Sequence, residues 1–194
     1  MKYSFPKIDL HLHLDGSFRT HTIWELSVQQ GFKMPADTEE GFEEWMKKCS
    51  YSGSVNEFLK MFDVTTELMQ DRDSLIRLTR ELIEDIADQG LVYAEIRFAP
   101  QLHTRKGMSQ REAIEAVLEG RRQGLESRPE IGIGIICCMM SFGPETLNWD
   151  ANMETAMITH EYLDKGVVCI DLAGAEGFVP LSNFAPLFKK AIEL

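Results

Sequence analysis

The stretch IDLHLHLDGS, residues 8–17, decides which fold the chain adopts. Apolar and polar side chains alternate along it, which is the period-two pattern of a β-strand. Because successive side chains of a strand point to opposite faces, His11 and His13 are expected on one face, about 7 Å apart along the chain. Asp9 and Asp15 have the same parity and are expected there too. Neutral imidazole is a preferred zinc ligand, so the stretch predicts a strand that ends in half of a metal site. The alternative is a pair of half-buried strand histidines without a ligand.

The composition is that of an ordinary globular protein. The chain has 194 residues, of which 44% are hydrophobic and 26% charged, and its formal net charge is −11. A phosphate-backbone partner needs clustered Lys and Arg, so nucleic acid is not expected as a partner. No apolar run has the length of a signal peptide or a membrane span, and no membrane partner is expected. Four cysteines without disulfide or zinc-knuckle spacing predict reduced thiols in the cytoplasm: Cys49, Cys137, Cys138 and Cys169.

After Gly90 the chain alternates between strand and helix patterns, as in a parallel sheet. Polar residues or glycines stand where the strands end, which favours an α/β fold of the (β/α) barrel type, of which this chain contains the first four strands. The alternative is an open doubly wound sheet, but neither of its usual glycine-rich phosphate-binding motifs is present. Strands are predicted at 8–15, 91–99, 131–138 and 167–172, and helices from the capping box at Ser109 and at 152–165 and 184–194.

Between the first two strands, residues of about 20–89 form a predicted helical insertion that covers one end of the barrel. One short helix ends at Gly31, and residues 32–53 are expected to be irregular apart from a helical turn around 42–46. A capping box at Ser54 to Glu57 opens the next helix, and a further helix runs from Asp73 to Gly90.

The motif HLHLDG at residues 11–16 resembles the opening metal motif of the adenosine deaminase family, within the amidohydrolase superfamily of barrel enzymes. The likeness extends, in the correct order, to SVNEFLKMF at 54–62, YAEIRFAP at 93–100, GIICCM at 134–139 and VVCIDLAG at 167–174. Five blocks in order make the resemblance specific. It implies that residues 1–194 are the N-terminal half of a deaminase barrel.

The resemblance implies one Zn²⁺ that converts bound water to hydroxide at neutral pH. The hydroxide attacks the amino-bearing purine carbon, so that adenosine or 2′-deoxyadenosine becomes inosine or 2′-deoxyinosine and ammonia leaves. By similarity the zinc ligands are His11 and His13. The implied substrate-binding residues are His13, Asp15 under the ribose 5′-hydroxyl, Phe58, Leu59 and Phe62 as an apolar lid, Met139 in the pocket wall and Gly174 against the purine. Core packing is the alternative for the lid residues and Met139, and a plain strand end is the alternative for Gly174.

Some of the family pattern is changed or missing. Met139 is followed by Met140 where the family usually has an arginine, and Gly174 is followed by Ala175-Glu176 rather than Asp-Glu. The family's zinc-binding histidine and proton-shuttling glutamate, in a His-Ala-Gly-Glu motif, are expected beyond Leu194. No catalytic residue is therefore assigned here, the zinc shell is incomplete, and this chain alone is expected to be inactive.

Several expectations remain open. A deaminase of adenine type and a non-catalytic half-barrel binding module are the alternatives in function. Asp15 favours a nucleoside, since the adenine-specific branch of the family usually has Glu there. Glu95 and Arg97 are expected to form a structural ion pair inside the barrel rather than a catalytic pair. An ordinary loop histidine is the preferred interpretation of His103, and a side chain that faces the site is the alternative. Because a half-barrel exposes two sheet edges, a homodimer or higher assembly is expected.

Overall fold

Four parallel strands form one sheet with the order β1-β2-β3-β4. The computed structural model describes residues 5–142, 148–174 and 179–194. The strands are β1 (Lys7–His13), β2 (Leu91–Phe98), β3 (Gly132–Ser141) and β4 (Val167–Gly174). The helices are α1 (Thr20–Gln30), α2 (Glu39–Ser50), α3 (Val55–Leu68), α4 (Arg72–Asp88), α5 (Gln110–Ser127), α6 (Trp149–Tyr162) and α7 (Ala185–Glu193). The prediction of a parallel half-barrel is confirmed.

The helices cover one face of the sheet, and the main core lies between the two layers. Ala94, Ile96 and Phe98 of β2 point into this core, as do alternate residues of β3 such as Ile133 and Ile135. Two helices, α4 and α5, lie so close together that a Cβ on Gly120 would be 2.6 Å from the carbonyl oxygen of Ile76. Glycine at this position therefore permits the close approach of the two helices. None of the described helices is long and apolar enough to cross a membrane.

A β-bulge interrupts β1 in the middle of the histidine motif. Asp9 is paired with Ala94 and Leu12 with Ile96, so two residues of β1 stand opposite a single residue of β2. Because paired residues of parallel strands share a face, Asp9 lies on the helix-covered side with Ala94. The expectation that Asp9 shares the face of the histidines is therefore wrong. Its carboxylate instead accepts a hydrogen bond of 2.9 Å from the backbone N–H of His11.

The insertion between β1 and β2 consists of four helices, and α2 is longer than the predicted single turn. Thr38 caps α2 by accepting a hydrogen bond of 3.1 Å from the N–H of Gly41. Acidic residues occupy the first turn of α2 and lysines its last turn, which suits the helix dipole. The prediction that residues 32–53 are irregular is thus wrong over α2, because the Thr38 cap and the charges at both ends stabilise a helix there.

Candidate functional site

His11 and His13 converge on the inner face of the sheet, the face not covered by helices. Their Nε2 atoms are 3.2 Å apart, and their ring centroids are 5.2 Å apart. A tetrahedral zinc ion with Zn–N bonds of about 2.0–2.1 Å holds two ligand nitrogens about 3.3 Å apart. The spacing therefore fits two of the four ligands of such an ion. Within the described ranges, no group of three His, Cys, Asp or Glu residues could hold a metal, so the shell has two ligands here.

Asp15 lies beside the histidines, in a 3-10 turn (Leu14–Gly16) that follows β1 rather than in the strand. Its Oδ1 atom is 3.6 Å from Nδ1 of His13. The carboxylate is buried, and Oδ1 has no hydrogen-bond partner among the described groups. Thr65 of α3 holds the turn in place by donating a hydrogen bond of 2.7 Å to the backbone carbonyl of Asp15. A buried acceptor without a donor is costly, which marks this oxygen as a place where a hydroxyl group can bind.

One aromatic ring of α3 contacts His13, and a second ring of α3 packs against the first. The ring of Phe62 meets the His13 ring edge-on with 5.9 Å between centroids, and Phe58 meets Phe62 in the same way at 5.5 Å. A Cβ on Gly16 would be 3.2 Å from the Phe62 ring, so the turn and the ring are in close contact. Phe58 and Leu59 remain 41% and 43% exposed, which is not the burial of core residues. The three side chains thus form an apolar surface at the histidine end of the sheet.

Met139 is on the opposite face of β3 from the one expected. It is fully buried and packs under α6 and α7 with Ala156, Phe184 and Leu187. Its neighbour Met140 belongs to a separate cluster on the inner face. The expectation that Met139 lines the pocket wall is therefore corrected, because the register of β3 against its neighbours turns Met140 inward instead.

Gly174 is required by the backbone next to it. Its φ is +124°, and a Cβ would overlap the backbone carbonyl of Ser141 on β3. Any side chain would be excluded at this position whether or not a ligand is bound. The backbone at the end of β4 thus requires glycine by itself, while the contact of Gly174 with a purine stays a prediction. The changed residues Ala175 and Glu176 lie outside the described part of the chain.

Arg97 is a site residue that the sequence reasoning placed with the wrong partner. It is buried on the inner face, pairs with Asp171 of β4, and has its Nη1 atom 3.0 Å from Nε2 of His11. Glu95 accepts a hydrogen bond of 3.1 Å from the hydroxyl of Tyr93, so the expected Glu95–Arg97 pair is wrong. The parity of β2 and β4, which puts Arg97 and Asp171 on the same face, is the signal that could have found this pair.

His103 is the second residue whose surroundings differ from the preferred interpretation. It lies in a 3-10 turn (Pro100–His103) after β2, is completely buried, and has its Nδ1 atom 2.9 Å from the carbonyl oxygen of Met69. Its ring also packs beside Phe98, with 5.8 Å between centroids. The expectation of an ordinary loop histidine is wrong, since this fully buried side chain links the turn after β2 to Met69 at the end of α3.

Four parallel strands, helices on one face and polar groups at the carboxyl ends define half of a parallel β/α barrel with an enzyme-type site. The family model for adenosine deaminase matches residues 6–194. The chain therefore belongs to the adenosine deaminase family.

The curated relatives are longer than this chain. It is 41% identical over 184 residues to an adenosine deaminase of Haemophilus ducreyi, covering 93% of this chain and 53% of the relative. It is 36% identical over 189 residues to adenosine deaminase 1 of Streptomyces coelicolor, covering 95% of this chain and 46% of the relative. The chain thus spans about half the length of the curated relatives that it matches.

Solved structures of similar proteins are also about twice as long as this chain. The crystal structure of the Arabidopsis N6-mAMP deaminase superposes with a TM-score of 0.81 at 33% identity, over 98% of this chain and 56% of that one. The adenine deaminase of Arthrobacter aurescens superposes with a TM-score of 0.79 at 24% identity, over 97% of this chain and 54% of that one, which shows the fold alone.

Proposed function

We propose that this chain forms the first half of a zinc-dependent enzyme that deaminates adenosine and 2′-deoxyadenosine to inosine and 2′-deoxyinosine. The observation that carries the proposal is the convergence of two imidazole nitrogens, 3.2 Å apart, beside the buried and unpaired carboxylate oxygen of Asp15. Membership of the family and the identity with curated adenosine deaminases support it.

The proposal assigns a separate role to each group of residues in the site. His11 and His13 would hold the zinc, and a bound zinc would supply a hydroxide nucleophile at neutral pH. Asp15 accepts a hydrogen bond from the sugar hydroxyl, and the apolar surface of Phe58, Leu59 and Phe62 excludes water above the sugar. Since only two ligands come from the described residues, we propose that the isolated chain does not turn over substrate.

Substrate preference tests this assignment in the complete protein. Adenosine should be turned over far better than adenine, because a free base leaves the buried Oδ1 of Asp15 without a donor. Replacing Asp15 with Ala should reduce kcat/KM for adenosine by about 10- to 100-fold, the cost of one lost buried hydrogen bond, and should leave adenine almost unaffected.

Steady-state kinetics with adenosine, adenine and N6-methyl-AMP provide the measurement. Asp63→Ala is a matched control, because this carboxylate lies on the exposed side of α3. Equal turnover of adenine would overturn the role of Asp15. A clear preference for N6-methyl-AMP would move the assignment toward the activity named for the Arabidopsis relative.

Zinc binding by the 194-residue chain gives a second prediction. Catalytic zinc sites use about three protein ligands, so a site with His11 and His13 alone should bind zinc weakly and lose it on dialysis against a chelator. Elemental analysis and titration calorimetry measure this, with His11→Ala as the test and His160→Ala, on an exposed part of α6, as the control. Tight zinc that survives the chelator but disappears in His11→Ala would mean that another chain completes the shell.

We also propose that the chain associates with a second copy, and that it resides in the reducing environment of the cytoplasm. Two open sheet edges support the first point, and four free cysteines, of which Cys137 and Cys138 are buried in the sheet, support the second.

A further inference from the structure

His103 presents a bare hydrogen-bond acceptor in the interior. Its Nδ1 atom lies 2.9 Å from the carbonyl oxygen of Met69, and because a carbonyl oxygen only accepts, Nδ1 must carry the hydrogen. Complete burial lowers the pKa of His103 and keeps the ring neutral. The other nitrogen, Nε2, is then an acceptor, and it has no hydrogen-bond partner among the described groups.

The end of α3 brings this acceptor close to Asp15. Thr65 donates to the backbone carbonyl of Asp15 at 2.7 Å, and Met69, four residues later, accepts from His103. Thr65 lies in the last turn of α3 and Met69 is the residue that caps it, so the two contacts are about one helical turn apart. The negative charge of Asp15 also acts on the His103 ring, opposing the effect of burial on its pKa. Two buried acceptors without hydrogen-bond partners, Nε2 of His103 and Oδ1 of Asp15, therefore belong to residues that are both bonded to the C-terminal end of α3.

We propose that Nε2 of His103 and Oδ1 of Asp15 form a two-acceptor site for an O–H donor, which makes His103 a positioning residue for the sugar-binding carboxylate. Two acceptors cannot bond to each other, and each is costly when it is buried alone. A water has two hydrogens and can donate one to His103 and one to Asp15, which removes both costs. A substrate hydroxyl has one hydrogen, so one that donates to His103 leaves Asp15 to bond to a second hydroxyl. The role in sugar binding rests on the proposed function above.

Two substitutions of His103 separate the acceptor from the structural bond. His103→Asn keeps an amide N–H where Nδ1 was, so the bond to Met69 remains and the Nε2 acceptor is lost. His103→Gln places its amide oxygen near the position of Nε2, so the acceptor remains and the bond to Met69 is lost. In the complete protein, His103→Asn should lower kcat/KM for adenosine by about tenfold, mainly through KM, and His103→Gln should recover most of the loss.

Sugar analogues identify what the acceptor serves. With 5′-deoxyadenosine, which has no 5′-hydroxyl for Asp15, His103→Asn should change kcat/KM by less than about twofold. This result is expected if the donor is a water that also bonds to Asp15, and the loss should then persist with 3′-deoxyadenosine. If the 3′-hydroxyl donates directly to His103, the loss should instead vanish with 3′-deoxyadenosine and persist with 5′-deoxyadenosine. An equal loss on all of these nucleosides, or a larger loss in His103→Gln than in His103→Asn, would overturn the proposal.

Nitrogen-15 NMR of the imidazole rings tests the geometry in the 194-residue chain without any activity. We expect His103 as the Nδ1–H tautomer, and we expect its Nε2 resonance to move when Asp15→Asn introduces an amide N–H donor. The Nε2–H tautomer, or an unmoved resonance in a folded Asp15→Asn variant, would refute the site. If the Asp15→Asn variant does not fold, the tautomer of His103 in the wild type is the test: Nδ1–H supports the site and Nε2–H refutes it. If the complete protein does not deaminate adenosine, the proposed function fails while the NMR result still stands.

Discussion

His11 and His13 share the inner face only because β1 contains a bulge next to them. Asp9 stands opposite Ala94, which points into the helix-covered core. With strict alternation from Asp9, both imidazoles would also point into that core. The extra residue in the bulge reverses the parity, and the Asp9 carboxylate accepts a hydrogen bond from the backbone N–H of His11. The one extra residue in the bulge therefore places both imidazoles on the inner face, where they can form a metal site.

Gly174 gives a prediction at the scale of a single residue. Gly174→Ala should lower the free energy of unfolding by at least about 2 kcal/mol, because it adds a backbone clash with Ser141 to an unfavourable φ of +124°. Gly31→Ala is the matched control, since Gly31 has a φ of +64° with no atom near its missing Cβ, and should cost only about 1 kcal/mol. Urea denaturation measures both. Equal losses would show that the strand end moves to make room.

At the scale of elements, the capping boxes determine where helices begin, but the two predicted boxes differ. At α5, Ser109 and Glu112 bond reciprocally: the hydroxyl accepts from the Glu112 N–H, and the carboxylate accepts from the Ser109 N–H at 2.8 Å. At α3, Ser54 accepts from the Glu57 N–H, whereas the Glu57 carboxylate pairs with Lys60. The full box predicted at Ser54 is therefore wrong in its second half.

The complete box predicts a pH dependence. Hydrogen bonds from the backbone N–H and then the hydroxyl of Ser109 lower the pKa of Glu112. A carboxyl whose folded pKa is lowered stabilises the fold above its ordinary pKa, and this stability is lost as the pH falls through the folded value. Glu112→Gln should therefore be less stable than the wild type at pH 7, and the difference should shrink in acid. Thermal unfolding at several pH values measures this, and a difference that is independent of pH would contradict it.

At the scale of the whole molecule, the described sheet is open at both sides. Among the described strands β1 pairs only with β2, and β4 only with β3. Ile8 of the edge strand β1 is paired with Tyr93, and the Tyr93 hydroxyl bonds to Glu95 on the inner face. Ile8 therefore also lies on the inner face, where its side chain is 63% exposed. Unpaired strand edges beside exposed apolar side chains favour association with another chain.

Size-exclusion chromatography with light scattering should therefore show the 194-residue chain as a dimer or larger. Ile8→Lys, which places a charge on the edge strand, should shift the equilibrium toward monomer. Val28→Lys is the matched control, because Val28 is 69% exposed on helix α1, away from the sheet edge, and should leave association unchanged. A compact monomer of wild type that unfolds cooperatively would contradict the prediction, and adenosine deamination by the dimer would contradict the proposed need for a second half.

The sequence by itself determined the alternation of strands with helices, the helix starts at Ser54 and Ser109, and that His11 and His13 share one face, because these depend on neighbours a few residues away. Only the tertiary structure decided the faces of Asp9 and Met139, the partner of Arg97 and the burial of His103. The face of a strand residue depends on its register against the next strand, and a bulge changes that register without altering the apolar pattern. The partner of a buried charge likewise comes from a strand far along the chain, as Asp171 does for Arg97, so local spacing cannot name it.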